Sequence, residues 1–277
     1  MLLESLEVHN FRNLQGEISC GRYLNIIFGD NGQGKTNWLE AIYLLSTTKS
    51  FRTARLGDAM RFGEEMAFVR GEVRQSAGIS RKLQVTLEGT AKSLTVNGKK
   101  ETVSRYLGQL HSVVFNADEI ETVRGTPEHR RKFLDAGIVG VYPAYVQTLS
   151  DYNRVIRQKN ALLQSAQENS FSLEKTTEML EIWNDQLIAL AARIHKARVR
   201  YVDRLSEVLQ KRLFQREEVA IRYLSSLEGK GDLADYPALL AERLKIRVQA
   251  ELASGHALIG PHRDDLEIHF DGRDLRS

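Results

Sequence analysis

The sequence predicts an α/β fold with a strand-rich N-terminal part and a helical lobe. A glycine-rich turn at 29–36 joins a strand-like run to a helical run. The pair Asn97-Gly98, typical of a hairpin turn, ends another strand-like run. Two long apolar stripes, at 145–163 and 180–208, recur every three or four residues. These stripes predict a long antiparallel helical hairpin.

Composition excludes several classes of protein. The chain has 277 residues, of which 42% are apolar and 27% charged, which excludes a disordered or fibrous chain. A single cysteine, Cys20, excludes an intrachain disulfide and a multi-cysteine zinc site, and the seven histidines lack metal-ligand spacing. No secretory signal opens the chain, and the apolar stretch at 23–28 is too short to cross a membrane. We therefore expect a cytoplasmic protein.

The strand-like runs lie mainly in the first 120 residues. Leu3–Val8 and Tyr23–Phe28 are short apolar runs, and 64–87 alternates roughly, with a break at 76–78. Near the end of the chain, 266–270 alternates again before an Asp-Gly turn. An antiparallel N-terminal part and a late return to strand are therefore expected.

The helical lobe has a clear start signal. Thr126-Pro127 combines a capping hydroxyl with proline at the first helical position. A polar break near Asn169-Ser170 separates the two apolar stripes, and Trp183 lies on the second stripe, which predicts a core position. The expected organisation is a head lobe over 1–122, a helical lobe over 123–252, and an incomplete return to the head lobe over 253–277.

The glycine-rich turn matches the phosphate-binding P-loop pattern G-x-x-x-x-G-K-T. Its glycines let backbone N–H groups point at phosphates, and the following helix N-terminus adds partial positive charge. Lysine in this pattern reaches the β- and γ-phosphates, and the hydroxyl ligates Mg²⁺. The alternative is a chance glycine-rich turn, which the surrounding strand and helix signals disfavour. The predicted nucleotide-binding residues are Gly29, Asp30, Asn31, Gly32, Gln33, Gly34, Lys35 and Thr36, with Thr36 as the Mg²⁺ ligand.

Hydrolysis needs a further acid, usually at the end of an apolar strand. The nearest candidate run, 113–115, is followed by acids only three residues later, and Asp264-Asp265 precedes a strand instead of ending one. The guanine-reading pattern Asn-Lys-x-Asp is also absent. The sequence thus predicts nucleotide binding with an incomplete hydrolytic site. A P-loop kinase for a small substrate and a non-enzymatic scaffold stabilised by nucleotide both stay open as alternatives.

Segments around the P-loop resemble SMC-like ABC ATPases and, among these, the RecF family of bacterial recombination mediators. The resemblance covers the whole chain, in order. Although many families share the P-loop, the combination of segments is specific. The matching segments are His9–Leu14, Thr36–Ile42, Lys49–Thr53, Arg130–Asp135 and Gly260–Leu266.

The resemblance implies a P-loop ATPase head with a mixed sheet, built from both ends of the chain, and a helical insertion. It implies ATP and Mg²⁺ as cofactors and a homodimer around two ATP molecules, each held between a P-loop and the partner's Ser-x-Gly-Gln motif. It also implies ATP-dependent binding of double-stranded and gapped DNA. RecO and RecR are the implied protein partners, in the loading of RecA during repair and replication restart.

The sequence departs from the family pattern at two places. Family members carry Ser-x-Gly-Gln, the Walker B acids and a switch histidine beyond the point where this sequence stops, and a glutamine expected after 113–115 is absent. On this basis we expect a truncated member that binds nucleotide, stays monomeric with ATP and has no catalytic residue of its own.

Basic residues supply the remaining candidates. Arg12 matches a nucleotide-contacting position in related heads, although a surface strand residue is an equal alternative. Lys49 and Arg52 follow the P-loop helix, where related heads meet DNA, but basic loop residues are more often simply solvated. A basic run that begins at Arg193 and includes Arg198 is either a DNA contact or the solvated face of a helix. The DNA-binding candidates in that run are Arg193, Lys196 and Arg200.

Overall fold

The computed structural model describes residues 1–75, 78–169, 171–211 and 218–275. The chain divides into two compact units. The first comprises residues 1–115 and 140–143, and the second comprises 116–139 and the chain from 144 onward. Part of the expected strand break, residues 76–77, lies outside the described residues, as does Ser170 of the polar break.

A six-stranded sheet forms the first unit, with strand order β2-β1-β3-β4-β5-β6. All its pairs are antiparallel, so the parallel pairing that a mixed sheet includes is not formed among the described residues. The strands are β1 (Leu2–Phe11), β2 (Leu14–Ser19), β3 (Met66–Arg74), β4 (Ser80–Glu88), β5 (Ala91–Val96) and β6 (Lys99–Lys100).

Local sequence explains this sheet. The predicted strand Leu3–Val8 is confirmed within β1, and the alternating run at 64–87 forms β3 and β4. Asn97 and Gly98 join β5 to β6 with φ of 51° and 76°. Positive φ at both central residues is what a type I′ hairpin turn requires, which confirms the predicted turn.

The helix α1 (Lys35–Thr47) packs on one face of this sheet. Ala41, Leu44 and Leu45 of the helix are fully buried in its core. At Gly71 in β3, a Cβ atom would lie only 2.5 Å from Leu45 Cδ2. Glycine at this position therefore lets the C-terminal half of α1 approach the strand closely.

The expected strand at Tyr23–Phe28 is not formed. The segment has no strand structure, and the side chains of Tyr23, Ile26 and Phe28 are between 73% and 90% exposed. Val113 and Phe115 are similarly exposed. A strand needs a neighbouring strand for its N–H and C=O groups, and none of the described strands pairs with either segment. An apolar, β-prone sequence was not sufficient here.

The predicted helical hairpin is confirmed in the second unit. One long helix ends at Glu168 and the next begins at Leu173, and the Ser172 hydroxyl caps the second by accepting from the backbone N–H of Lys175 at 3.2 Å. Trp183 is partly buried against the core, as predicted. The helices of this unit are α3 (Glu121–Arg124), α4 (Pro127–Val141), α5 (Tyr145–Glu168), α6 (Leu173–Leu209) and α7 (Tyr236–Ser254), while the short α2 (Val103–Tyr106) belongs to the first unit.

A three-stranded antiparallel sheet completes the second unit. It consists of β7 (Val219–Leu224), β8 (Asp265–Phe270) and β9 (Arg273–Asp274). The alternating run at 266–270 is thus confirmed as a strand, and the Asp271-Gly272 pair forms its turn.

Arg198 is the centre of a buried ion-pair network in this unit. Its guanidinium donates to both carboxylate oxygens of Asp135 at 3.0 and 2.9 Å and to the Pro261 carbonyl at 2.7 Å. It also lies 3.7 Å from Asp264, which is fully buried and accepts from the Ser226 backbone N–H. Arg198 belongs to the basic run of α6, but its buried side chain connects this helix to Asp135 of α4 and to the turn at Pro261.

Among the described residues, no helix has both the length and the apolar character needed to cross a bilayer.

Replacing Arg198 with methionine should destabilise the protein by about 3–5 kcal/mol, because Asp135 and Asp264 would lose a buried cation. Arg200→Met, on the exposed side of the same helix, should change the free energy of unfolding by less than about 0.5 kcal/mol. Urea unfolding of both variants checks this. Equal effects would contradict the assigned network.

His262 should make the protein sensitive to acid. Its Nδ1 accepts from the Tyr152 hydroxyl at 2.7 Å and its Nε2 donates to the Ala257 carbonyl at 3.1 Å. Burial lowers its pKa from 6.5 to about 4. The unfolded state binds a proton on His262 more readily than the folded state does. The contribution of neutral His262 to folding stability is therefore complete above about pH 6.5 and is lost as pH falls towards 4.

The expected contribution of His262 is about 2.5 kcal/mol between about pH 7.5 and about pH 4.5. His262→Gln, which cannot titrate, should lose less stability over that range than the unmodified chain. Urea unfolding at the two pH values measures the difference. An identical pH dependence in both proteins would show that His262 does not cause it.

Candidate nucleotide-binding site

The P-loop leads directly into α1. Gly29, Gly32 and Gly34 have φ of 140°, 85° and 94°, which side chains rarely allow. Gly34 occupies the N-cap position, and no described side chain caps the helix there. The Asn37 N–H donates to the Gly34 carbonyl at 2.9 Å, so the N–H groups of Lys35 and Thr36 are the ones that the first turn presents to an anion.

Lys35 is directed back into the loop. Its Nζ donates to the carbonyls of Gly29 and Asp30 at 2.8 and 2.7 Å. The ammonium group thus lies within the loop formed by 29–34, while the neighbouring Thr36 is exposed. An incoming phosphate can replace these two carbonyls as the partner of the ammonium, which is the role that the motif predicts for this lysine.

The turn between β1 and β2 supports the loop. The side chain of Asn13 donates from Nδ2 to the Gly32 carbonyl at 3.1 Å. A Cβ atom on Gly34 would lie 2.7 Å from both Asn13 Oδ1 and Leu14 Cδ2. The loop therefore packs tightly against this turn at two positions.

Arg12 lies beside the site but is engaged by α1. Its guanidinium donates to both carboxylate oxygens of Glu40 at 3.1 and 2.8 Å, and to the Asp58 carbonyl at 2.6 Å. Glu40 is fully buried and also accepts from the Ser50 hydroxyl at 2.6 Å. Buried charges are retained when they are paired and hydrogen-bonded, as Glu40 is. Glu40 was not predicted from the sequence, although it lies one helical turn after Thr36 on the same helix.

Lys49 and Arg52 follow α1 in the same unit. Arg52 donates to Asn37 Oδ1 at 2.5 Å and lies 3.6 Å from Glu40, while its side chain is 46% exposed. Lys49 is exposed. Arg52 is therefore held at the first turn of α1 with part of its guanidinium open to a ligand.

The other basic candidates lie on α6, in the second unit. Arg193, Lys196 and Arg200 are spaced by three and four residues, and all three are exposed. This spacing places them on one face of the helix. They form a basic face separate from the buried Arg198.

Metal-binding side chains are not clustered in the described part of the chain, where no group of three or more His, Cys, Asp or Glu is placed to hold an ion. Thr36 is the residue at this site that the P-loop pattern assigns to Mg²⁺. Asp118 and Glu119 lie in a short turn at Ala117–Ile120, not at the end of a strand.

Gly34→Ala should weaken nucleotide binding at least about tenfold, because the new Cβ would displace Asn13 or Leu14 and strain the loop by about 1–3 kcal/mol. Gly63→Ala is a matched control, since Gly63 has φ of 86° but no neighbouring atom within 4 Å of the place that a Cβ would occupy. Titration with a fluorescent ATP analogue measures both. Unchanged affinity in Gly34→Ala would show that the loop does not need this close contact.

Comparison with known proteins finds relatives that match the whole chain. Residues 1–217 match the family model described as an AAA ATPase domain. The DNA replication and repair protein RecF of Geobacter sp. (strain M21) is 35% identical over 283 residues, covering 100% of this chain and 75% of the relative. The protein of that name from Pelotomaculum thermopropionicum is 37% identical over 284 residues, covering 100% and 76%.

Two solved structures also resemble this chain over nearly its whole length. The chain is similar to a structure of the recombination mediator protein RecF with ATP, in the RecFOR pathway, with a TM-score of 0.90 and 33% identity over 99% of this chain and 74% of the other. The corresponding structure described as RecF-ATPrS gives a TM-score of 0.91 at 33% identity, over 99% and 75%. The head-type α/β fold predicted from the sequence is confirmed. With this identity and coverage, the chain belongs to the RecF family.

Proposed function

We propose that this chain binds ATP and DNA as a recombination mediator in DNA repair and replication. The observation that carries the proposal is the P-loop at the start of α1, with Lys35 directed into the loop and no side chain capping the helix that follows. The likeness to a RecF structure with ATP supports the choice of nucleotide.

The proposed nucleotide contacts are those of the P-loop pattern, and the position of Lys35 supports them. Backbone N–H groups of 29–36 surround the phosphates, Lys35 exchanges its two carbonyl partners for phosphate oxygens, and Thr36 ligates Mg²⁺ with the nucleotide. Arg12 is a further candidate because it matches a nucleotide-contacting position in related heads. In this chain Glu40 holds its guanidinium within the same unit as the P-loop. Gln33 covers Gly29, because a Cβ on that glycine would lie 2.6 Å from Gln33 Oε1.

The proposed DNA contacts are cationic and independent of base sequence. Lys49 and Arg52 supply one group of cations beside the nucleotide, and the exposed face of α6 supplies another. Lysine and arginine contacts with phosphates provide most of the non-specific affinity for DNA. This face of α6 consists of Arg193, Lys196 and Arg200.

The wider setting of the proposal follows the family. Its components are partnership with RecO and RecR, action on double-stranded and gapped DNA in the cytoplasm, and help in loading RecA. An ATP-dependent homodimer belongs to the full-length protein of the family. The division into a head lobe at 1–122, a helical lobe at 123–252 and a return at 253–277 belongs to the proposal as well. The curated relatives are longer, since the chain spans about three quarters of their length.

Neutralising the basic face of α6 should weaken DNA binding and its salt dependence. In the variant Arg193→Gln/Lys196→Gln/Arg200→Gln, the slope of log affinity against log salt for duplex DNA should fall by up to about 2.7, or about 0.9 for each lost phosphate contact. Nucleotide affinity should not change. Fluorescence anisotropy with a labelled duplex over a salt series measures the slope.

The matched control removes three exposed lysines from the sheet of the first unit, at positions 82, 99 and 100, and thus changes the net charge equally. An identical loss in both triple variants would indicate a general charge effect and contradict a DNA-binding face on α6.

In Lys35→Ala, ATP should no longer alter DNA affinity. If ATP instead transferred phosphate to a small substrate regardless of DNA, the chain would be a kinase and the proposal would be wrong.

A further inference from the structure

Two asparagine side chains connect the P-loop to Arg52. Asn13 donates from Nδ2 to the Gly32 carbonyl at 3.1 Å, and its Oδ1 accepts from Asn37 Nδ2 at 2.7 Å. The Oδ1 of Asn37 in turn accepts from the guanidinium of Arg52 at 2.5 Å. Three consecutive hydrogen bonds therefore run from a loop carbonyl to a half-exposed cation.

The direction of this chain of hydrogen bonds is fixed at both ends. A backbone carbonyl such as that of Gly32 only accepts, whereas the guanidinium of Arg52 only donates. Each intervening side chain must therefore donate on one side and accept on the other, which a primary amide does and a carboxylate does not. Rotating either amide by 180° would break two hydrogen bonds at once.

Both asparagines lie against the parts of the chain that surround the phosphates. Asn37 directly follows Thr36 in the first turn of α1. Asn13 contacts the loop twice, through its hydrogen bond to Gly32 and through its close packing on Gly34. A change in the loop that moves either glycine must therefore displace Asn13 or break its hydrogen bond.

The far end of the chain of hydrogen bonds is attached to a short loop. Arg52 lies 3.6 Å from the buried Glu40, which also accepts from the Ser50 hydroxyl. The same hydroxyl accepts from the backbone N–H groups of Arg52 and Thr53 at 2.9 and 3.1 Å. The position of Arg52 and the conformation of 50–53 are thus set together.

We propose that Asn13 and Asn37 act as an amide relay, through which the conformation of the P-loop positions Arg52 and the loop at 50–53. These asparagines are positioning residues and do not themselves hold the nucleotide. The inference rests on the proposed function, because it assumes that a nucleotide occupies the P-loop. By linkage, an anion bound at Arg52 alters nucleotide affinity by the same factor as nucleotide alters affinity for that anion.

A phosphate drives the relay by competing for Lys35. When Lys35 leaves the carbonyls of Gly29 and Asp30, these two residues lose the contact that draws the loop together. The shift reaches Gly32 and then Asn13. Nucleotide binding can move Arg52 only if Asn13 interacts differently with the nucleotide-free and the nucleotide-bound P-loop. The relay therefore requires that the contacts of Asn13 differ between these two states of the loop.

Asn37→Asp separates the two ends of the relay. A carboxylate at this position still accepts from Arg52, but it cannot donate to Asn13. Asn153→Asp, at an exposed position of α5, makes the same charge change elsewhere and serves as the control. Asn13→Ala, which breaks the relay at the other asparagine, is the second variant if Asn37→Asp fails to fold.

The experiment is hydrogen exchange of the peptide covering 48–55, with and without a non-hydrolysable ATP analogue and Mg²⁺. Nucleotide should change the exchange of this peptide in the unmodified chain and in Asn153→Asp. In Asn37→Asp the difference should disappear, although the analogue still binds. A purely structural role would raise exchange in both states and leave the nucleotide-induced difference intact, which would overturn the relay.

A parallel titration with the analogue separates this inference from the proposed function. If the analogue binds to the unmodified chain but the peptide at 48–55 does not respond, the relay is wrong and nucleotide binding stands. If the analogue does not bind at all, the proposed function is wrong, and the relay is overturned with it.

Discussion

The buried carboxylate of Glu40 is the constraint on which the candidate site depends. A charge on the inner side of α1 is costly unless cations and hydrogen-bond donors surround it. Arg12 supplies a two-pronged contact from the β1–β2 turn, and Ser50 and Arg52 approach from the segment after the helix. Satisfying this one carboxylate therefore brings three separate segments together around the start of the helix that follows the P-loop.

The sheet beneath supports this arrangement. The close approach of α1 to β3 at Gly71 fixes the helix, and the β1–β2 turn carries both Arg12 and Asn13. Arg12 and Asn13 thus point to two different parts of the same site, the first to Glu40 and the second to Gly32. One short turn joins the charge network of the helix to the hydrogen bonds of the loop.

Local patterns predicted the fold where local interactions decide it. The Asn97-Gly98 turn, the helix start at Pro127 and the hairpin of α5 and α6 depend on neighbours in sequence, and all were predicted. The segment 23–28 has equally good strand propensity, but its structure depends on a partner strand, which propensity cannot supply. Arg198 likewise looked like part of a basic face, because sequence alone does not show that Asp135 lies opposite it.

The candidate site was predicted only in part, for the same reason. The P-loop is a contiguous motif, so residues 29–36 could be identified directly. Glu40 and the amide relay depend on contacts between residues 10 to 28 positions apart, which no spacing rule reveals.

A double-mutant cycle between Arg12 and Glu40 tests most directly whether this buried carboxylate organises the site. Arg12→Met and Glu40→Leu, alone and together, would be compared by urea unfolding. Each single change should cost about 3–5 kcal/mol, and the double variant should recover much of that loss, since it leaves no unpaired buried charge. Costs that simply add, with a coupling free energy below about 0.5 kcal/mol, would contradict the account.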